Sequence, residues 1–294
     1  MAGAPVKPRP NNLPAELTSF VGRRRELSEL KRLVTTTRLL TLTGSGGAGK
    51  TRLALRAAAE MARSFRDGVW LVSLASVEDP QLVVQAVFNA LGLQNMSTGL
   101  SLSTLTRYLA DKRLLLVIDN CEHLLDSCAV LAFTLLKSCP DLRVLATSRH
   151  PLSATGETRM GVPPLSVPDD DPSLKPEQIA ASEAAALLTE RVAAVLPGFK
   201  VDDVNSAAVL RLCRRLDGMP LALELAAVRL ESLTVDQVVD GLEHEVPVLS
   251  KAVRGADARQ QTLDATIAWS YRLLEEQERL LWARLSVFSG GFDQ

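Results

Sequence analysis

The feature that most constrains this chain of 294 residues is the segment GSGGAGKT, which runs from Gly44 to Thr51. A short apolar run, Arg38 to Thr43, precedes it, and helix-forming residues continue from Lys50 to Phe65. This order predicts a strand, a glycine loop and a helix. Glycines let successive backbone N–H groups point at a phosphate chain, and the helix N-terminus adds positive charge. We expect Lys50 to reach the β- and γ-phosphates and the Thr51 hydroxyl to bind Mg²⁺.

Strands and helices alternate after the glycine loop. The strand candidates are largely apolar and lie at Val69 to Leu74, Leu114 to Ile118, Leu142 to Thr147 and Thr158 to Val162. Helical patterns occupy Pro80 to Leu91, Leu102 to Asp111 and Glu122 to Ser138. Apolar strands that alternate with helices indicate an α/β fold, with a parallel sheet covered by helices on both faces.

The composition changes at Pro163. Residues 163–176 are rich in proline and contain three consecutive aspartates, which predicts a linker. Beyond it the patterns are helical. One helix is expected to end at Asp217-Gly218, and Pro220 is expected to open the next one. Cys213 lies on the apolar stripe of the first of these helices, which favours a core position over a chemical role.

The charge of the chain is divided unequally. The net charge is −1, but residues 1–150 carry +7 and residues 151–294 carry −8. This division fits either a polyanion that binds the first half or attraction between two domains. The four cysteines form no CxxC pair, and no stretch approaches the length of a transmembrane helix. We therefore expect a cytoplasmic protein that does not enter a membrane.

Two side chains at strand ends are candidates for the same site as the glycine loop. Asp119 follows the apolar run LLLVI and could anchor Mg²⁺, although it could instead cap the next helix. Arg149 ends RVLATSR and would emerge beside the phosphates, the alternative being a solvated surface arginine. The runs Arg23 to Arg25 and Arg214-Arg215 are interpreted as solvated helix faces.

From about Asn12 onward the chain resembles the nucleotide-binding module of STAND-class P-loop ATPases, the NB-ARC-like signalling ATPases, and in particular that of large bacterial LuxR-type transcriptional regulators. The segments that carry the resemblance are NLPAELTSFVGRRREL, LLTLTGSGGAGKTRLAL, LLLVIDNCEHLL, RVLATSR, RLDGMPLALELAA and QQTLDATIAWSYRLLEEQERLLWARLSVFSGGF. The resemblance implies a P-loop NTPase sheet in which the strand before Arg149 lies between the two Walker strands. It also implies an ATP/ADP-binding switch that requires Mg²⁺.

The resemblance also implies roles for individual residues. Lys50, Asp119 and Arg149 are the expected catalytic set, with Glu122 as a weaker candidate, and Thr51 and Asp119 would hold Mg²⁺. Pro220 would pack on the base, and Phe20 to Arg23 would hold the adenine. The expected nucleotide-binding residues are Val21, Gly22, Arg23, Gly44, Ser45, Gly46, Gly47, Ala48, Gly49, Lys50, Thr51, Arg52 and Pro220.

The implied domains follow from these segments. We expect a disordered lead-in at residues 1–12, a P-loop domain at 13–165, a linker at 166–176, an all-α, four-helix lid domain at 177–255 and the incomplete start of a winged-helix domain at 256–294. Other domains of a larger regulator, protein partners or a nucleotide-dependent oligomer are the expected partners. Direct DNA binding by this part of the chain is not expected.

One departure from the family pattern bears on activity. Many relatives carry a second acid directly after the Walker B aspartate, whereas this chain has Asn120 there. We therefore expect slow or absent hydrolysis of ATP. Two other functions stay open at this point: an active P-loop ATPase or kinase, which needs an acceptor site or a strong base, and a DNA-binding module, which needs a basic face or a complete helix-turn-helix.

Overall fold

The computed structural model describes residues 9–94, 100–169, 171, 173–249, 267, 271, 274 and 276–286. Its strands are β1 Leu39–Thr43, β2 Val69–Ser73, β3 Leu115–Asp119, β4 Arg143–Ser148 and β5 Glu157–Gly161. Its described helices are α1 Arg24–Thr36, α2 Lys50–Met61, α3 Val83–Ala90, α4 Leu102–Leu109, α5 Leu125–Ser138, α6 Pro176–Ala180, α7 Glu183–Val195, α8 Ser206–Arg215, α9 Pro220–Arg229, α10 Val235–Leu249 and α11 Glu276–Leu285.

The five strands form one parallel sheet in the order β2-β3-β4-β1-β5. The α/β class predicted from the sequence is therefore confirmed. Strand β4 lies between β3 and β1, as the resemblance implied. Because Thr43 pairs with Ser148 and Ile118 pairs with Ala146, the carboxyl ends of these three strands meet at one edge of the sheet. The glycine loop, Asp119 and Arg149 all leave the sheet at that edge.

Each face of the sheet buries its own hydrophobic cluster. Leu115 and Val117 of β3 pack with the α1 and α2 side chains, whereas Leu116 and Ile118 pack with α3, α4 and α5. Alternate residues of a strand point to opposite faces, so a strand with helices on both sides must be apolar at every position. Burial of each such side chain contributes about 1.5–3 kcal/mol to the free energy of unfolding.

The helices after the linker form a third cluster. Val209, Leu212, Cys213 and Leu216 are buried in it, as the helical periodicity predicted. Within the described residues this part contains five helices, because the single turn α6 precedes the four longer helices that the resemblance implied. Ala48 of the glycine loop belongs to the same cluster. The helical part therefore packs directly on the loop.

Two expected elements differ from the sequence interpretation. Asn12, assigned to a disordered lead-in, accepts a hydrogen bond from Leu71 N and donates one to Leu71 O, so this end of the lead-in is held along β2. The helix expected over Glu122 to Ser138 is interrupted at Leu124, whose φ and ψ are −132° and 33°. A 3₁₀ turn, Cys121–His123, precedes α5, and the His123 ring bonds to Val77 O.

The C-terminal region is described in part. Most of residues 256–294, the expected start of a winged-helix domain, lies outside the described residues. Within the described part of the chain, no helix combines the length and the apolar character needed to cross a membrane.

Candidate nucleotide-binding site

The glycine loop between β1 and α2 adopts a conformation that depends on its glycines. Gly44, Gly47 and Gly49 have φ values of 154°, 74° and 84°, and Gly49 is the N-cap of α2. A Cβ on Gly44 would lie 2.8 Å from Val162 O. Glycine alone adopts such angles at low cost. The loop thus leads directly into a helix N-terminus, which is the geometry of an anion-binding loop.

Lys50 is held within this loop. Its side chain is 9% exposed, and Nζ donates to Gly44 O at 2.9 Å and to Ser45 O at 3.0 Å. Burial lowers the pKa of Lys50, an effect that Glu122 and Asp119 oppose and Arg149 reinforces. A buried ammonium that is bonded to neutral carbonyls favours an incoming anion, because a phosphate oxygen supplies the missing counter-charge.

Asp119 connects the loop to the sheet. Its Oδ1 accepts hydrogen bonds at 2.6 Å from both Thr51 Oγ1 and Thr147 Oγ1. This pair of a hydroxyl and a carboxylate fits Mg²⁺, which commonly takes one or two protein oxygens and completes its octahedron with phosphates and water. Within the described residues, no group of three or more His, Cys, Asp or Glu side chains is placed to hold a metal.

Arg149 and Glu122 face each other across the same edge of the sheet. Arg149 Nε donates to Glu122 Oε1 at 3.2 Å, and the Arg149 side chain is 53% exposed. The second oxygen, Glu122 Oε2, is buried and has no hydrogen-bond partner among the described residues. Arg149 is thus exposed to solvent, as the alternative interpretation expected, and it is also paired with Glu122 at the edge of the site.

Asn120 occupies an unusual backbone position. Its φ is 66°, in the left-handed region, and its N–H donates to Thr147 Oγ1 at 3.1 Å. Asparagine tolerates this region better than glutamate does.

A cavity of about 350 Å³ collects these residues. Its walls come from the segment before α1, from the glycine loop, from the carboxyl edge of the sheet, and from α7 and α9. Of the residues expected from the sequence, it is lined by Phe20, Val21, Arg23, Gly46, Gly47, Gly49, Lys50, Thr51, Arg52, Glu122, Arg149 and Pro220. The lining does not include Gly22, Gly44, Ser45, Ala48 or Asp119. A cavity of this size, lined by a glycine loop and five cationic residues, fits a nucleotide.

Arg23 corrects one interpretation from the sequence. It was assigned to a solvated face, but it is 3% exposed and its Nη2 donates to Ala48 O and Pro163 O, both at 2.7 Å. Burial lowers the pKa of Arg23. Its backbone N–H donates to Glu183 of α7. Arg23 therefore ties the segment before α1 to the glycine loop, whereas Arg24 and Arg25 are exposed as expected.

The N-terminus of α9 touches the glycine loop itself. Pro220 is the first residue of α9, as predicted, and its Cγ lies 3.8 Å from the Cβ position of Gly49. The N–H of Leu221 donates to Gly47 O at 3.3 Å. The helical part thus contacts the backbone that would surround the phosphates.

Side chains that the sequence analysis missed complete the cavity. Glu224 Oε1 of α9 accepts from Arg52 Nη1 at 3.2 Å and from Arg191 Nε of α7 at 2.9 Å. Both arginines also donate to Ser19 O. The Arg52 guanidinium, which was expected to bind the nucleotide, is therefore bound to Glu224 and Ser19 of the protein. Thr147, in the TSR end of β4, carried a local signal, since a polar residue at a strand end faces the site edge. Arg191 and Glu224 lie in no recognisable motif.

Comparisons with known proteins agree with this geometry. A family model described as an AAA domain matches residues 32–157, which include the glycine loop, Asp119 and Arg149. An uncharacterized protein of Mycobacterium tuberculosis is 43% identical over 278 residues, which are 94% of this chain and 67% of that protein. Residues 32–157 of the chain thus belong to the AAA-type P-loop NTPase family.

Longer regulators contain relatives of this NTPase. A "Putative HTH-type transcriptional regulator" of M. tuberculosis is 43% identical over 264 residues, which are 90% of this chain and 28% of the regulator. The regulatory protein AfsR of Streptomyces griseus is 27% identical over 298 residues, which are 96% of this chain and 28% of AfsR. The NTPase chain thus spans little more than a quarter of the length of these regulators.

Solved structures support the same fold. A STAND protein with a tetratricopeptide repeat sensor from Pyrococcus horikoshii aligns with a TM-score of 0.52 and 17% identity, over 98% of this NTPase and 37% of that chain. A Walker-type ATPase of Pyrococcus abyssi aligns with a TM-score of 0.53 and 14% identity, over 79% and 74% of the two chains.

Proposed function

We propose that this chain is an ATP/ADP-binding switch module of a transcriptional regulator, dependent on Mg²⁺ and slow in hydrolysis. Its relatives include proteins named as regulators, in which the matching part is a fraction of the length. Other domains of such a regulator would receive the output of the switch. The four cysteines are buried free thiols, which supports a reducing compartment such as the cytoplasm.

The observation that carries the proposal is the contact between α9 and the glycine loop. Leu221 N–H donates to Gly47 O, and Pro220 packs beside Gly49. A nucleotide in this cavity would contact both the loop and the helical part. If the helical part can adopt two arrangements relative to the loop, the nucleotide favours the arrangement that it binds more tightly. The size of the shift is set by the difference between the two affinities.

The phosphates and Mg²⁺ would be held by Lys50, Thr51 and Asp119, and the metal would neutralise charge on the β- and γ-phosphates.

Arg149 is the group that could distinguish ATP from ADP. It lies at the strand end beside the loop and is held by Glu122 at 3.2 Å. A γ-phosphate is a stronger anionic partner than a single carboxylate, because it carries more charge and more acceptor oxygens.

We expect Arg149→Gln to lower the affinity for ATP about tenfold and to leave the affinity for ADP unchanged, since one charge-assisted contact is lost. Isothermal titration calorimetry with each nucleotide and Mg²⁺ measures both values. Arg107→Gln is the matched control, because Arg107 is exposed on α4 and has no ion pair among the described residues. Equal losses of ATP and ADP affinity would show that Arg149 does not sense the γ-phosphate.

Hydrolysis by the purified chain is expected to be slow, with a kcat below about 1 s⁻¹, the lower end of the protein-kinase range. Asn120 offers no carboxylate, and Glu122 Oε1 is paired with Arg149. Release of inorganic phosphate from ATP with Mg²⁺ is the measurement. A kcat between about 1 and 100 s⁻¹ would favour an active ATPase over a switch.

A further inference from the structure

A second cavity, of about 320 Å³, lies at the edge of the sheet opposite to the glycine loop. Arg38 directly precedes β1, Arg113 lies two residues before β3, and Arg143 opens β4. These strands are neighbours in the order β3-β4-β1, so their amino ends lie side by side. The parallel topology thus brings three guanidinium groups from distant parts of the chain to the rim of one cavity.

The described residues that line this cavity carry more positive than negative charge. Among the described residues that line it, Asp141 alone is acidic, and its carboxylate forms no ion pair within the described part of the chain. Burial lowers the pKa of Arg143, the positive charges of Arg113 and Arg38 lower it further, and the negative charge of Asp141 opposes this shift. Three cations and one anion leave a surplus of two positive charges. A concave site lined by one sign of charge concentrates counter-ions.

Structural roles account for two of the three arginines. Arg38 Nη2 donates to Leu136 O and to Cys139 O, at the C-terminal end of α5. Arg143 Nη1 donates to Thr37 O, after the end of α1. A helix C-terminus favours such cations. The Arg113 guanidinium has no hydrogen bond or ion pair among the described residues; the residue is exposed, so its charge is available to a ligand in the cavity.

We propose that this three-arginine cavity binds a phosphate group, either inorganic phosphate or a phosphate monoester. A phosphate carries about −1.5 to −2 charge at pH 7, which matches the surplus of two positive charges. The planar guanidinium presents paired donors that suit phosphate oxygens. The site accounts for part of the +7 charge of residues 1–150 that the nucleotide cavity does not use.

The test is calorimetric titration of the full chain with inorganic phosphate at constant ionic strength, with Mg²⁺ and ADP in excess. We expect binding to the unmodified chain, and binding at least about tenfold weaker to Arg113→Gln, because a charge-assisted contact is lost. Arg107→Gln removes the same charge elsewhere and should bind as the unmodified chain does. Equal thermal midpoints of the three proteins show that the fold is unchanged.

Titration with O-phosphoserine, and with serine as its blank, identifies the source of the phosphate. Binding of O-phosphoserine that depends on Arg113 supports a monoester, and binding of inorganic phosphate alone supports the free ion. The proposal is overturned if the unmodified chain binds neither, or if all three proteins bind phosphate equally. Since Arg113 lies at the edge opposite to Lys50, dependence on Arg113 does not require that the nucleotide proposal holds.

Discussion

Lys50→Ala is expected to weaken the binding of both ATP and ADP about a hundredfold or more and to leave the fold intact. Charge-assisted hydrogen bonds contribute about 1.5–3 kcal/mol each, and Lys50 would make two of them, to the β- and γ-phosphates or to the phosphates of ADP. The side chain already lies inside the loop, with Nζ on Gly44 O and Ser45 O. Little further ordering is needed when a phosphate replaces these carbonyls.

Calorimetry with each nucleotide measures this loss. Lys137→Ala is the matched control, because it removes the same charge from an exposed position on α5. Circular dichroism and the thermal midpoint establish that Lys50→Ala is folded. An ADP affinity equal to that of the unmodified chain would refute both the assignment of the phosphate site and the proposed switch.

Gly218→Ala is expected to destabilise the chain by about 3 kcal/mol or more. Gly218 joins α8 to α9 with a φ of 62°, and a Cβ at this position would lie 2.2 Å from Leu165 O. The same Gly218 accepts a hydrogen bond from Leu165 N at 2.9 Å through its carbonyl. The new methyl group would therefore force apart the segment after β5 and the start of α9.

Urea denaturation of the variant gives the free energy of unfolding. Gly198→Ala is the control that separates the backbone effect from the clash. Gly198 has a φ of 90°, and no atom lies within 4 Å of its Cβ position. We expect it to lose only about 1 kcal/mol, the cost of the left-handed conformation. If the two variants lose equal stability, the contact between Gly218 and Leu165 is not a structural constraint.

Local sequence patterns predicted those strands and helix starts that form for reasons within a few consecutive residues. Apolar runs predicted the strands, and the glycine loop with Pro220 predicted the starts of α2 and α9. Arg23 shows the opposite case. Its neighbours Arg24, Arg25 and Glu26 are typical of a solvated helix start, yet carbonyls of Ala48 and Pro163 hold its guanidinium in the interior. A run of like residues does not reveal which one turns inward.

By itself, the sequence determined the strand, loop and helix that could hold a phosphate chain, because glycine conformation, helix dipole and the lysine at its N-terminus lie within eight consecutive residues. Only the tertiary structure decided what closes the cavity. Arg52 and Glu224 meet although 172 positions separate them, and Leu221 reaches Gly47 through the packing of α9 on the loop. Such contacts follow from how helices pack, and no short pattern records them.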